Sequence, residues 1–297
     1  MTRTPSYDFD ASCQVRQKIM VSYDEGKSFT VVLERTIRPY SHFVPLREPA
    51  ADGKFLALAR GDVSGTMVLL ESEDNGQTLT KRSCPDFREP IYPGDIKPFN
   101  AGIAVSGYTA KGTTVIFYSG DDGHTWSDPA TIAEPVDNMS FHEPAIEALD
   151  DKCLLCVMRT HRQDIPKHNG INYHQVQLEF ENGKFTALGK LQDTGIGFRG
   201  RPQLLQTSNG ILILSAPGGL LAFSTDGGAI YELDLHTLKD IPAVTYHGKP
   251  YNHNADVQFL LMPDGDVLCS YFIGSDLPFP PPIDEYIGVS RFHVEEK

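Results

Sequence analysis

The apolar positions of the chain fall into short runs, each closed by clusters of Gly, Pro, Asn, Asp and Ser. Runs of that length with that punctuation read as β-strands joined by tight turns. Gln17–Tyr23 and Phe29–Thr36 form a first hairpin. Further strands are expected at Lys54–Arg60, Thr66–Glu71, Gly102–Gly107, Thr113–Tyr118, Lys152–Arg159, Gly210–Ser215, Leu220–Ser224, Val257–Met262, Val267–Phe272 and Tyr286–Val294. Thr160–Asn172, with His161 and His168, reads as a longer polar loop. Leu277–Pro282 is too rich in proline for a strand and reads as a stiff loop over an axis.

One turn recurs. Ser119-Gly120-Asp121-Asp122-Gly123-His124-Thr125-Trp126 has the form S-x-D-x-G-x-T-W. In a hairpin tip the Asp accepts hydrogen bonds from the backbone just after it, and Gly supplies a positive φ. The Thr and the aromatic residue open the return strand, with the ring beneath the turn. Ser22–Phe29 fits the same pattern, Ser72–Leu79 fits with Leu in the aromatic slot, and Ser224–Tyr231 keeps Ser, Asp, Gly and a terminal aromatic. Asp24, Asp74 and Asp121 lie about 50 residues apart, and Asp226 about twice as far again. A decayed copy, Glu181-Asn182-Gly183-Lys184-Phe185, fills the gap. A period of roughly 40–50 residues built of short strands is the signature of a β-propeller, one antiparallel sheet per repeat around a common axis. The chain is therefore expected to be one all-β domain over residues 1–297, a propeller of four-stranded blades. Six blades are favoured, because five tips and a C-terminal unit count to six. Five blades, with the two chain ends merged in one sheet, are the alternative.

The repeats also begin alike: Arg47-Glu48-Pro49, Arg88-Glu89-Pro90, His142-Glu143-Pro144, Gly200-Arg201-Pro202 and Asn254-Ala255-Asp256. In a propeller the innermost strands start beside the axis at one end. Their second strands end there too, with Arg60, Tyr108, Arg159 followed by His161, and Tyr271. Arg, Glu, His and Tyr would thus converge on one mouth, the kind of pocket that binds a polar ligand. His142 and His253 stand near repeat starts. No histidine spacing supports zinc, and neither a metal nor any other cofactor is expected. A structural alternative is a ring in which Arg60 and Arg159 pair with the glutamates around the axis, with Tyr271 as filler.

The recurring turn resembles the Asp box of the sialidase (neuraminidase) superfamily, and the resemblance covers most of the chain at the level of the repeat. In that superfamily the boxes lie on the outer turn between the third and fourth strands, and the active site lies around the axis. This implies that Asp24, Asp74 and Asp121 serve their own turns. The resemblance further implies three arginines that grip a sugar carboxylate, a Tyr nucleophile with a nearby Glu, and an Asp as acid/base. Arg47, Arg60, Arg88, Arg159 and Arg201 are candidates for the first role. Tyr271 and Tyr286 lie where the family places its Tyr, and Glu48, Glu89 and Glu143 are candidates to activate it or to move protons. The family's Arg-Ile-Pro signature is absent, Arg47-Glu48-Pro49 standing in a similar place, and no residue matches its catalytic Asp. The expected function is a sialidase-like glycoside hydrolase on an acidic sugar. Catalysis is assigned to Glu48, Glu89, Glu143, His142 and Tyr271, and substrate binding to Arg47, Arg60, Arg88, Arg159, His161, Arg201 and His253. The alternatives are a lyase acting on uronic-acid glycans, with His142 or Tyr271 moving protons, and a non-catalytic glycan-binding propeller.

The resemblance implies a carbohydrate partner, and a formal net charge of −13 bears on the other classes. That charge disfavours a nucleic-acid groove and an anionic membrane surface, and no run approaches the roughly 18 apolar residues of a span. An anionic substrate needs a local cluster of cations against that field. Met1–Asp10 is polar and lacks a secretory signal's apolar stretch, so a cytoplasmic location is expected, secretion after processing staying open. Five cysteines form no paired framework. Cys153-Leu154-Leu155-Cys156 looks like a redox half-site, but positions three apart on a strand face opposite ways, so core cysteines are expected. Gly195–Gly200 matches G-x-G-x-x-G without a helical pattern after it and is discounted.

Overall fold

The computed structural model describes residues 15–37, 44–46, 54–60, 67–74, 78–162, 164, 171–197, 200–215, 221–234, 244–246, 249–251, 254–273 and 286–295. An N-terminal hairpin, β1 (Val15–Val21) and β2 (Thr30–Ile37), forms a two-stranded sheet. Blade 1 follows as β3 (Val44–Pro45), β4 (Phe55–Arg60), β5 (Met67–Ser72) and β6 (Thr80–Ser83). Blade 2 is β7 (Ile91–Phe99), β8 (Gly102–Thr109), β9 (Thr114–Ser119) and β10 (Ala130–Ala133). Blade 3 is β11 (Met139–Ala148), β12 (Cys153–Arg162), β13 (Asn172–Glu181) and β14 (Lys184–Gly197). Blade 4 is β15 (Leu204–Gln206), β16 (Leu212–Ser215), β17 (Leu221–Ser224) and β18 (Glu232–Asp234). A small hairpin, β19 (Val244–Tyr246) and β20 (Lys249–Tyr251), leads to blade 5, which has three strands: β21 (Asn254–Leu261), β22 (Val267–Ile273) and β23 (Tyr286–Phe292).

Each blade is an antiparallel meander whose first strand is innermost; β7, β11, β15 and β21 follow one another as neighbours around the axis. The core is accordingly divided into layers between blades. Leu58, Leu69, Val105 and Phe117 join blades 1 and 2. Phe99, Ile116, Phe141, Cys156, Met158 and Phe180 join blades 2 and 3. Tyr173, Leu204 and Leu214 join blades 3 and 4, and Ile213, Phe259 and Cys269 join blades 4 and 5. This is why β5 is buried along its whole length, covered on both faces, whereas β13 alternates Val176, Leu178 and Phe180 inward with Gln177, Glu179 and Glu181 outward.

The ring has five blades, not the favoured six. Among the described residues the turn at Asp24 joins a two-stranded hairpin alone, so counting it as a blade overstates the ring. Among those residues the hairpin is also a sheet separate from the C-terminal one. Its turn seats on blade 5, where a Cβ at Gly26 would meet Leu268 and Val289, and Arg291 bonds Glu25 at 2.8 Å. A second correction concerns Thr160–Asn172. Because β11 starts at Met139, the ladder pairs Ser140 with His161 and Met139 with Arg162, and β12 runs on to Arg162.

The recurring turns sit at one end of the blades. Asp121 Oδ1 accepts from Ser119 Oγ at 2.8 Å and from Thr125 N at 2.7 Å, and Oδ2 accepts from the Thr125 hydroxyl at 2.7 Å. Asp24 and Asp74 repeat the pattern, and Asp226 keeps the Ser224 hydroxyl and the Ile230 N–H but not the third bond, since Ile230 has no hydroxyl. Trp126 packs edge-on against Phe117. Gly123, at φ +83°, presses on Leu69 of blade 1, and Gly228, at φ +93°, on Leu155 of blade 3. The glycine thus supplies both the left-handed backbone and the room to seat one blade on the previous one.

Candidate active site at the axial mouth

The innermost strands share an irregularity at the opposite end. In β7 the register shifts between Pro93 and Ile96, in β11 between His142 and Ala145, and in β21 between Ala255 and Gln258. In each case two residues oppose one, a β-bulge that re-aims side chains at a barrel-like rim. Gly94-Asp95, Glu143-Pro144 and Asp256-Val257 are the bulged pairs. Glu143 adopts φ +48°, which a side chain bearing a Cβ rarely takes. Such strain persists where the surroundings over-determine it, as at binding and catalytic sites. Gly94 is required in β7, because a Cβ there would run into Pro144 and Ser106.

Around these bulges the structure gathers several of the sequence candidates. Arg159, beside His142 on the ladder, bonds Glu143 Oε2 at 2.8 Å, both groups being largely buried. Its Nε is buried without a hydrogen-bond partner among the described residues. Arg201 reaches from the start of blade 4 to the carbonyls of Pro93, at 3.1 Å, and Gly94 in blade 2. The guanidinium of Arg60 lies 4.2 Å from the centre of the Tyr92 ring. From there a file of rings crosses the mouth. Tyr92 and Tyr108 are 5.4 Å apart, Tyr108 and His142 5.5 Å, and His142 stacks on His161 at 4.3 Å. Ser140 Oγ and His142 Nε2 are hydrogen-bonded at 2.9 Å.

Other candidates lie elsewhere. Arg88 is exposed and turns to the outer strands of its own blade, bonding Glu134 at 2.5 Å and the Thr113 hydroxyl at 3.4 Å. Glu89 stands 3.8 Å from Lys111. Tyr271 faces Gly288 on the β22–β23 ladder, its side chain lying outside the described residues, as do Arg47, Glu48 and His253. Among the described residues no group of three His, Cys, Asp or Glu is placed to hold a metal ion. Cys156 is buried in the layer between blades 2 and 3 and burial pushes its thiol upward; Cys153 is part-exposed.

Four residues of the innermost strands were not singled out from the sequence. Asp95, in the β7 bulge, accepts from the backbone N–H of Ile96 and of Ile146 in the next blade, at 3.0 and 3.2 Å. Lys97 and Glu147 form a buried ion pair between β7 and β11. The signal was present: two charges, Asp95 and Lys97, inside an otherwise apolar first strand. The fourth is Tyr92, which carries the stacking of Arg60.

No protein-family model matches the sequence, and no curated protein does either. Solved structures match at the level of fold. An alpha-L-arabinanase of Penicillium chrysogenum complexed with arabinobiose is 14% identical, with a TM-score of 0.61 over 86% of this chain and 80% of that one. A mutant alpha-L-arabinofuranosidase of Fusarium graminearum in complex with an iminosugar inhibitor is 13% identical, with a TM-score of 0.62 over 94% and 85%. A Hadza microbial sialidase is 13% identical, with a TM-score of 0.55 over 86% and 56%. At these identities the likeness establishes the propeller fold this chain shares with the three.

Proposed function

We propose that the protein is a glycoside hydrolase that works on a glycan at the axial mouth, with Glu143 as its central carboxylate. The observation that carries this reading is the strained bulge of β11. It holds Glu143 at φ +48° on an innermost strand, in an ion pair with Arg159 and one residue from His142. A sugar presents hydroxyls to such groups and C–H faces to the neighbouring rings. The fold supports the reading by analogy, since the arabinanase, the arabinofuranosidase and the sialidase are all propellers of this kind.

Hydrolysis of a glycosidic bond uses two carboxyl groups on either side of the bond. Asp256 holds in the β21 bulge the place that Glu143 holds in β11, and is the partner we assign. Arg159 is engaged by Glu143, Arg201 by two carbonyls, and Arg60 lies over Tyr92. In this reading the arginines shape the mouth, and the carboxylate grip of a sialidase is not their role.

The test is a screen of aryl arabinofuranosides, sialosides and uronides against the protein and its Glu143→Gln variant. One class is turned over with release of a saturated sugar, and the substitution lowers kcat by about 10³-fold, the scale of losing a positioned acid/base or nucleophile. Absence of turnover across the panel, or a variant as active as the parent, would overturn the assignment.

A further inference from the structure

Beside the mouth, between blades 2 and 3, lies a cleft of ≈ 490 Å³. We infer that it is an oxyanion subsite that takes the carboxylate or sulfate of a glycan whose neighbouring sugar occupies the mouth.

The lining explains the choice. Lys111, Arg162, His142 and His161 supply nitrogen donors, Ser140 supplies a hydroxyl, and among the described residues no carboxylate lines the space. In a chain of net charge −13 this concentration of cationic and cationisable groups runs against the global field. The acidic neighbours hold the two cations unequally. Glu89 is 3.8 Å from Lys111, whose side chain is 80% exposed. Asp164 forks onto Arg162 at 3.1 and 2.6 Å, but both groups are substantially exposed and two residues apart. Lys111 is thus open to a ligand oxyanion, and at Arg162 the oxyanion competes with the solvent-exposed Asp164 for the same charge-assisted hydrogen bonds. Glu134, the remaining nearby acid, is occupied by Arg88 and Thr113.

The wall of the cleft is fixed. Gly112, at φ +86°, lies so close to Ser140 and His142 that a Cβ would collide with both. Its carbonyl accepts from Phe141 N at 2.9 Å. The turn from blade 2 is thereby fastened to the first strand of blade 3. The link to the mouth is His142, which stacks on His161 on the cleft side and meets Tyr108 on the mouth side, one residue before Glu143. His142 is thus shared between the cleft and the strand that carries the proposed reacting carboxylate, and the subsite's part in catalysis rests on that reading of the mouth.

Nuclear magnetic resonance titration of the full chain at low salt with glucuronic acid, glucose 6-sulfate and glucose tests the inference. Both anions shift the ring resonances of His142 and His161 saturably, and glucose does not. Lys111→Ala combined with Arg162→Ala weakens the anions by about tenfold or more, Lys111→Glu weakens them further, and Glu143→Gln leaves them bound. A preference for carboxylate over sulfate, or the reverse, identifies the substituent. Anions that bind no better than glucose, or that bind the double variant as well as the parent, overturn it. Anion binding that persists in a protein inactive on every glycoside would retain the subsite and remove the hydrolase reading instead.

Discussion

At the outer end of blade 2, Asp121 accepts three hydrogen bonds, all from Ser119 and Thr125 within the same turn. At the mouth, Arg201 crosses from blade 4 to carbonyls of blade 2, and Asp95 of blade 2 accepts from the Ile146 N–H of blade 3. The two ends use similar polar side chains, but the first closes its hydrogen bonds within eight residues of chain and the second closes them across the ring. A turn satisfied internally can be copied from blade to blade. A mouth satisfied between blades differs at every blade, and that asymmetry is what a binding site requires.

Substitutions that separate long-range from local bonding sharpen this contrast. The largest effect is expected at the axis. Lys97→Met leaves Glu147 buried without its cation and should cost about 3–5 kcal/mol, whereas Lys97→Met with Glu147→Leu should recover most of it. Urea unfolding of the two variants checks this, and equal losses in both would refute a pairing role. Next comes Gly123→Ala, where a Cβ at φ +83° collides with Leu69 across the blade interface. A loss of about 2 kcal/mol is expected, from strain and overpacking together. The mouth should keep its ligand binding in that variant, since the damage lies at the other end.

The smallest effect is a pH dependence. The Thr125 backbone N–H, then the Thr125 and Ser119 hydroxyls, hold the Asp121 carboxyl down to about 2, against an ordinary value of 3.8. A depressed folded-state pKa gives stability that is fully present above the unfolded value and lost as pH falls through the folded one. The melting temperatures of the protein and of Asp121→Asn should therefore converge as pH falls from about 4 to about 2. A gap that stays constant over that window would show that the carboxylate charge is not what the turn uses.

The turns were legible because their chemistry is local. Ser119, Asp121, Gly123 and Thr125 meet through spacing alone, so the pattern in the chain is already the pattern in space. The strand at Cys153 was placed for the same reason, but its end was not. Nothing near Thr160 says that Met139 and Ser140 wait opposite to extend the ladder, and His161 read as a loop residue until that pairing was seen. Blade number failed in a similar way, since the turn at Asp24 looks like the others while among the described residues its hairpin pairs with no inner strand. At the mouth the repeat starts pointed to Arg201, His142 and Glu143, and the end of a second strand to Arg159. They did not show that Arg88 would turn outward to Glu134, or that Asp95 would be enclosed.

The sequence by itself determined the strand-and-turn repeat, the propeller class and the end of the blades at which polar groups gather, because each depends on residues a few positions apart. Only the tertiary structure decided how many blades close the ring, which cations are taken up by the protein's own groups, and that a cationic cleft opens between blades 2 and 3. Those outcomes depend on which side chains meet across some 20 to 110 positions of chain, and on burial that strips water from one charge while leaving another in solvent.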